Sequence, residues 1–186
     1  MLCRGGPLNT ILNFAIFHIG WLACVMGASA DRALEGSVIA VVLIAVHILR
    51  SENVRNEMLI LVAAVLIGFT WETVLLLHGS LSYRGVIAGA EFAPYWLVLM
   101  WALLATTINE SMAWMKQRRL LAAVMGAIFG PMAFLAGERL GAVEFINLPA
   151  AIAVLAVGWA LLLPLMLWLA DQINASADVT PESVYE

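Results

Sequence analysis

The chain has 186 residues, of which 63% are hydrophobic and only 12% are charged, and its formal net charge is -4. A soluble domain has about a quarter of its residues charged, so this composition excludes a soluble globular protein and predicts an integral membrane protein. The negative charge excludes a nucleic-acid partner, because the chain offers no basic face to neutralise phosphates.

Six apolar segments follow one another along the chain, and a helix that crosses the hydrocarbon core needs about 20 mostly apolar residues. The segments are residues 8–27, 32–49, 58–78, 93–115, 120–136 and 149–170. The second is weaker because only its residues 38–46 are continuously apolar, so a bundle with five crossing helices is the alternative. We predict an all-α fold, a polytopic membrane helical bundle with six transmembrane helices.

The basic residues predict the orientation of this bundle, because Lys and Arg are enriched on the cytoplasmic side of a membrane. With six spans and an internal amino terminus, six of the 9 basic residues are cytoplasmic, and the KQRR joint contributes three of them. Residues 1–171 are thus predicted to form one domain in the bacterial inner membrane. Residues 172–186 are predicted to form a polar, acidic and disordered tail. Both termini are predicted to be cytoplasmic.

The first segment raises a question of processing. Arg4, the apolar run after it and an A-x-A sequence ending at Ala30 resemble a signal peptide. The run is longer than a usual signal-peptide core and contains Asn9, Asn13 and His18. We therefore expect the first helix to be retained, and cleavage after Ala30 is the alternative.

Small residues line one face of the segment that begins at residue 120. Gly126, Gly130, Gly137 and Gly141 recur at helical spacing, and Pro131 lies among them. Small residues let a second helix approach closely within lipid, so this face is predicted to pack against another helix of the chain. A homodimer through Gly126 and Gly130, or a binding groove, is the alternative. Pro131 predicts a kink or carbonyl groups free for other partners.

Several polar side chains fall inside or at the edges of the apolar segments, where they are costly unless they face protein. The candidates are Glu72, His78, Glu110, Asn109, Thr106, Asn13, His18 and His47. One predicted cluster, toward the outer side, joins Glu72 with His78, Tyr83, Arg84, Glu91 and either Glu138 or Arg139. The other, toward the inner side, joins Glu110 with Asn109, Thr106, Asn13 and His47.

Three hypotheses account for the two embedded acids, Glu72 and Glu110. Each carboxyl group fixes helix packing, or the two form a proton- or ion-coupled path, or they mark a site that binds or alters a lipid-like molecule. No HExxH, GxSxG, phosphate-loop or dinucleotide motif is present, and the histidines lie on separate segments. Cys3 and Cys24 form no CxxC pair. We therefore expect no metal, no cofactor and no catalytic residue, and we lean against an enzyme.

Four stretches of the chain carry a family resemblance: NFAIFHIGWLACVMGA, GFTWETVLLLHGSLSY, APYWLVLMWALLATTINESMAW and GAIFGPMAFLAGERLGA. Together they resemble an uncharacterised bacterial inner-membrane family, domain of unknown function 2878, over about residues 9–142. The matching positions are Trp21, Gly68, Gly79, Pro94, Trp96, Trp101, Gly126, Gly130, Pro131, Gly137 and Gly141. Glu72 matches a position where the family usually has aspartate. The family has no established activity, and the resemblance implies genes near those of enzymes that modify fatty-acyl chains.

The function expected first is therefore that of a non-catalytic membrane partner linked to the modification of fatty-acyl chains. A small proton-linked transporter using Glu72 and Glu110 is the alternative, and an intramembrane enzyme that acts on lipid is third. The expected partners are membrane lipid, a lipid-modifying enzyme and a second copy of the chain.

Overall fold

The computed structural model describes residues 7–86 and 91–178, which form six α helices and one two-stranded sheet. The helices are α1 (Pro7–Ser29), α2 (Ala33–Leu49), α3 (Val54–His78), α4 (Tyr95–Ile108), α5 (Arg119–Arg139) and α6 (Leu148–Asp178). The strands are β1 (Leu81–Tyr83) and β2 (Val143–Phe145). The predicted helical bundle is confirmed, and the small sheet is an addition that the sequence analysis missed.

Four of these helices, α1, α3, α5 and α6, are long and apolar enough to cross a membrane. They indicate an integral membrane protein. The other two have 17 residues (α2) and 14 residues (α4). At 1.5 Å per residue they are about 26 and 21 Å long, whereas the hydrocarbon core is about 30 Å thick. Six crossing helices therefore stay a prediction.

The shortest helix, α4, is the centre of the fold. All of its residues 101–108 are buried, and it packs against α1, α2 and α3. The α5 helix instead packs mainly against α6, which also contacts α3. The bundle thus consists of a group formed by α1 to α4 and a pair formed by α5 and α6.

Local capping explains where the helices begin and end. The side chain of Asn53 accepts a hydrogen bond from the backbone of Asn56 at 3.1 Å and so caps the start of α3. Gly79 ends α3 with a φ of 73°, in the left-handed region that favours glycine. The α4 helix ends at Ile108, earlier than the predicted residue 115. The N–H of Met112 turns back to the carbonyl of Thr107 at 2.8 Å, and a short 3₁₀ helix follows at Ala113–Met115.

The two strands form an antiparallel ribbon in which Leu81 pairs with Phe145 and Tyr83 with Val143. The ribbon joins the connection after α3 to the connection after α5. Each strand has only three residues, so it is too short for an alternating pattern of apolar residues to reveal it. The ribbon fixes the position of Tyr83, which is buried in the core of the bundle.

Two helices extend beyond the ends of their predicted segments. The α5 helix runs through Pro131 to Arg139, and α6 runs past the predicted end at residue 170 to Asp178. Residues 172–178, the first part of the predicted tail, are therefore helical, and residues 179–186 lie outside the described residues. The predicted orientation residue Arg4 and the noted Cys3 also lie outside them.

Candidate functional site

Glu72 is the most deeply buried acid of the described chain, with 1% of its surface exposed. The hydroxyl group of Tyr83 donates a hydrogen bond to its Oε2 at 2.7 Å. The indole N–H of Trp101 donates to its Oε1 at 2.9 Å. One carboxyl group therefore connects α3, the ribbon and α4.

Both partners of this carboxyl group are neutral donors. In residues 7–86 and 91–178, no Lys, Arg or His forms an ion pair with Glu72. Burial, and after it the adjacent carboxyl group of Glu72, raises the pKa of Tyr83 well above its usual value, so this hydroxyl stays protonated. A carboxylate has about four lone-pair sites, and two donors from the described residues occupy two of them. The site thus retains unused hydrogen-bonding capacity.

A pair of stacked indole rings lies beside Glu72. The rings of Trp101 and Trp159 are 4.9 Å apart between centroids and nearly parallel, at 15°. Two glycines make this stack possible, because a Cβ atom on Gly68 would overlap the ring of Trp101 and one on Gly130 would overlap the ring of Trp159. The stack therefore joins the α1 to α4 group to the α5–α6 pair.

A cleft opens on the side of the bundle between α1 and α5, and we call it the α1/α5 cleft. Its volume is about 520 Å³. Its α1 wall contains Phe14, Phe17, His18 and Trp21, its α5 wall contains Met125, Gly126, Phe129, Gly130, Met132 and Ala133, and Leu104, Trp159 and Leu163 form its floor. Residues 111–115, except Ala113, close one end. Phe14, Phe129 and Met132 are about half exposed, so the cleft reaches the surface of the bundle.

A smaller cavity of about 90 Å³, which we call the inner cavity, adjoins the α1/α5 cleft. Glu72 lies in the wall of the inner cavity, and Phe17, Trp21, Leu104, Ala133 and Trp159 line both spaces. The indole N–H of Trp159 is buried and has no hydrogen-bond partner in the described part of the chain. The two mainly apolar spaces therefore share a wall, and their lining residues include a buried carboxyl group and a residue with a buried indole N–H.

A second polar group, the Glu57 network, lies at the other end of the bundle, where α2 and α4 end and α3 begins. The Nε2 of His47 lies 3.1 Å from Oε2 of Glu57. The side chain of Asn109 donates to Oε1 of the same glutamate at 2.9 Å. This network holds together the ends of α2, α3 and α4.

The Glu57 network extends to α6 through Asn109. Lys116 donates to Oδ1 of Asn109 at 2.7 Å and lies 3.2 Å from a carboxylate oxygen of Asp171. Asn174 donates to the same Asn109 oxygen at 3.0 Å, and Asn56 donates to Asn174 at 3.3 Å. The arrangement satisfies its own polar groups, which is what a packing role requires.

The structure brings together only part of the outer cluster expected from the sequence. Tyr83 contacts Glu72, whereas His78 is exposed and its Nδ1 lies 2.6 Å from the hydroxyl of Ser80. Arg84 contributes its backbone carbonyl, which accepts a hydrogen bond from the indole of Trp96 at 2.9 Å. Glu72 thus lies with aromatic donors and away from the charged residues expected beside it.

The residues expected in the inner cluster are divided among three places. Asn109 and His47 belong to the Glu57 network. Asn13 donates to the backbone carbonyl of Thr106 at 3.1 Å and accepts from Ser111 at 2.7 Å. Glu110 lies in the turn after α4, so it is outside a helix. His18 is exposed on α1, with its Nδ1 2.8 Å from the carbonyl of Phe14.

The small-residue face of α5 contacts other parts of the same chain. An added Cβ atom on Gly126 would overlap the backbone of Trp159, and one on Gly137 would lie 3.2 Å from Val143. Gly141 follows α5 in a turn with a φ of 83°, and Pro131 is buried. A homodimer through Gly126 and Gly130 would require α6 to move away.

Sequence reasoning missed several participants. It named Trp101 only as a position that matches the family, and it did not recognise this residue as a hydrogen-bond donor to Glu72. It also missed Glu57, because a glutamate in the first turn of a helix is an ordinary surface residue. One signal for the role of Trp101 was available in the sequence. Gly68 and Trp101 both match the family, and a glycine and a tryptophan on two helices can pack closely against each other, as α3 and α4 do here.

The fold and the cleft together define a helical integral membrane protein with a ligand-sized cavity between its helices. The chain belongs to the family described as Protein of unknown function (DUF2878), whose model matches residues 10–165. This confirms the resemblance seen in the sequence. Comparisons with curated proteins and with solved structures found no match.

Proposed function

We propose that this protein is a non-catalytic integral membrane protein that holds one lipid-like molecule in the α1/α5 cleft. The observation that carries the proposal is an apolar cleft of about 520 Å³ that shares a wall with a cavity lined by a buried carboxyl group. Ligand sites usually have volumes of about 300–1,000 Å³, mostly apolar walls and a few polar groups that orient the ligand. The cleft has all three properties.

The construction of the walls supports this proposal. The α1 wall belongs to the α1 to α4 group, whereas the α5 wall belongs to the α5–α6 pair. A space between two such groups can widen without breaking the packing inside either one. Phe129 and Met132 line its outer part, and methionine side chains adapt their shape to irregular apolar ligands. The cleft therefore suits a flexible hydrocarbon chain.

The family resemblance supports a role beside enzymes that modify fatty-acyl chains. In this proposal the protein presents or retains the chain, and the partner enzyme carries out the chemistry. Co-purification after gentle extraction tests this part, and a lipid-modifying enzyme is expected in the complex. If the protein is recovered with a bound lipid but without any such enzyme, the proposed lipid binding stands and the proposed enzyme partner is rejected.

We place the protein in the bacterial inner membrane with both termini in the cytoplasm. Five basic residues, Arg50, Arg55, Lys116, Arg118 and Arg119, follow α2 or α4 or lie at the start of α3 or α5, whereas Arg32, Arg84 and Arg139 lie toward the ribbon end. This excess supports a cytoplasmic Glu57 network. A reporter that works only in the cytoplasm should be active when it is fused to the carboxyl terminus. Activity of a fused reporter that works only outside the cytoplasm would reverse the assignment.

Native mass spectrometry tests the binding role. Ala133→Phe places a ring in the wall shared by the α1/α5 cleft and the inner cavity, and it should remove one retained lipid-like molecule. Ala153→Phe is the matched control, because Ala153 is exposed on α6 and lines neither space. Equal retention by wild type and both variants would reject the proposed site.

A small proton-linked transporter is the second candidate, because a buried carboxyl group lines the inner cavity. Glu72 lies near the ribbon end of α3, whereas Glu110 follows α4 at the other end of the bundle. A relay between them would have to pass the apolar core around α4. Proton flux into vesicles that contain the protein should then disappear in Glu72→Gln. If vesicles that contain the wild-type protein show a proton flux equal to that of empty vesicles, this candidate is rejected.

A further inference from the structure

The unused hydrogen-bonding capacity of the inner cavity indicates what kind of polar group it takes. When Glu72 is ionised, it accepts from Tyr83 and Trp101 and still has free lone pairs. When it is neutral, its own O–H needs an acceptor: the Trp101 N–H cannot serve, and the Tyr83 hydroxyl can accept only if it turns its own O–H away from Oε2. In either state a ligand group that both donates and accepts can add a hydrogen bond to the carboxyl group.

Trp159 adds the complementary requirement. Its indole N–H is buried without a hydrogen-bond partner in the part of the chain that the structure describes, and its ring lines both the inner cavity and the α1/α5 cleft. Buried polar groups in proteins are nearly always hydrogen-bonded. An indole N–H is a donor only, so the missing partner must be an acceptor.

We infer that the ligand of the α1/α5 cleft is an uncharged alcohol with one long apolar chain, whose hydroxyl group binds between Glu72 and Trp159. This inference rests on the proposed function. A hydroxyl group both donates and accepts, so it satisfies the carboxyl group and the indole together. The inner cavity of about 90 Å³ holds the hydroxyl and the first carbons of the chain, and the α1/α5 cleft holds the rest.

The same two groups discriminate against charged chain ends. When Glu72 is ionised, a fatty-acid carboxylate would meet a like charge at close range, and such a pair repels strongly. A long-chain amine could pair with Glu72, but an ammonium group has no acceptor for the N–H of Trp159. A hydrocarbon fills the cleft but leaves the free lone pairs of Glu72 unused and the N–H of Trp159 without a partner.

A series of ligands with equal chain length tests the inference on the purified, delipidated protein. Hexadecanol, palmitate, hexadecylamine and hexadecane are titrated, and bound molecules are counted by native mass spectrometry. Hexadecanol should bind about tenfold more tightly than hexadecane, which is the effect of about one good hydrogen bond. Farnesol, an isoprenoid alcohol, is titrated as a fifth ligand, and its affinity relative to hexadecanol shows whether the site prefers a branched or a straight chain.

Two matched variants separate recognition from general packing. Trp159→Phe removes the N–H and keeps a ring, so the preference for hexadecanol over hexadecane should fall toward unity while hexadecane binding is retained. Trp71→Phe removes another buried indole N–H without a partner in the described residues, but Trp71 lines neither space. Its preference should equal that of wild type.

The outcomes distinguish the two proposals. If none of the five ligands binds, the binding role itself fails. If hexadecane binds as tightly as hexadecanol, the cleft binds chains but the inner cavity holds only water, and the inference is overturned. Tightest binding of palmitate or hexadecylamine also overturns it, and so does an unchanged preference in Trp159→Phe.

Discussion

Removal of one hydroxyl group tests whether the buried carboxyl group fastens the ribbon to the bundle. Tyr83→Phe deletes the donor that lies 2.7 Å from Glu72 Oε2, and Tyr83 is only 6% exposed, so water cannot replace it. A buried acceptor that loses its partner costs about 1–3 kcal/mol, and interhelical hydrogen bonds within membranes are worth about 0.6–2 kcal/mol. We therefore expect a loss of about 1–2 kcal/mol, or roughly 5- to 30-fold in the folding equilibrium.

The assay is reversible unfolding in mixed micelles with increasing SDS, followed by circular dichroism. Tyr95→Phe is the control, because this tyrosine begins α4 and is 51% exposed, and it should unfold like wild type. A double-mutant cycle with Glu72→Leu, which removes both acceptor oxygens, isolates the contact between the two side chains. The reasoning is refuted if both tyrosine variants unfold at the same SDS concentration, or if the two changes at the contact are additive.

Two further predictions concern packing and the Glu57 network. Gly130→Ala places a methyl group inside the α6 indole ring and should destabilise the protein by about 1–3 kcal/mol, as measured by the same unfolding assay. Gly137→Ala meets only a valine methyl group at 3.2 Å and should cost less, so the reverse order would contradict the packing. Lys116→Met removes a partly buried cation that lies 3.2 Å from Asp171 and should cost about 1 kcal/mol. Arg119→Met alters an exposed side chain and is expected to be silent, so equal effects of the two changes would show that the network does not stabilise α6.

The positions of the helices could be predicted because each depends on the local sequence. A run of apolar residues long enough to cross a membrane is visible without knowledge of its neighbours. The predicted segments 8–27, 32–49 and 58–78 agree closely with α1, α2 and α3. The end of α4 was misplaced, because the chain turns after Thr107 through hydrogen bonds that the apolar pattern does not record.

The candidate site was only partly predictable. Glu72 stood out as an acid in an apolar segment, and the cost of a carboxyl group in lipid predicts that it faces protein. Its partners, however, lie 11 and 29 positions away. Which aromatic side chains reach it depends on how α3 and α4 are rotated about their axes and on the pairing of β1 with β2. Neither follows from hydropathy.

Composition alone therefore determined that this chain belongs in a membrane, and the spacing of apolar residues determined where most of its helices lie. Only the tertiary structure decided that Glu72 is joined to two neutral donors and that α1 and α5 leave a cleft between them. The reason is that hydropathy is a property of single residues and short runs. A hydrogen bond or a cavity is a relation between helices whose rotation and separation are set by every contact in the bundle.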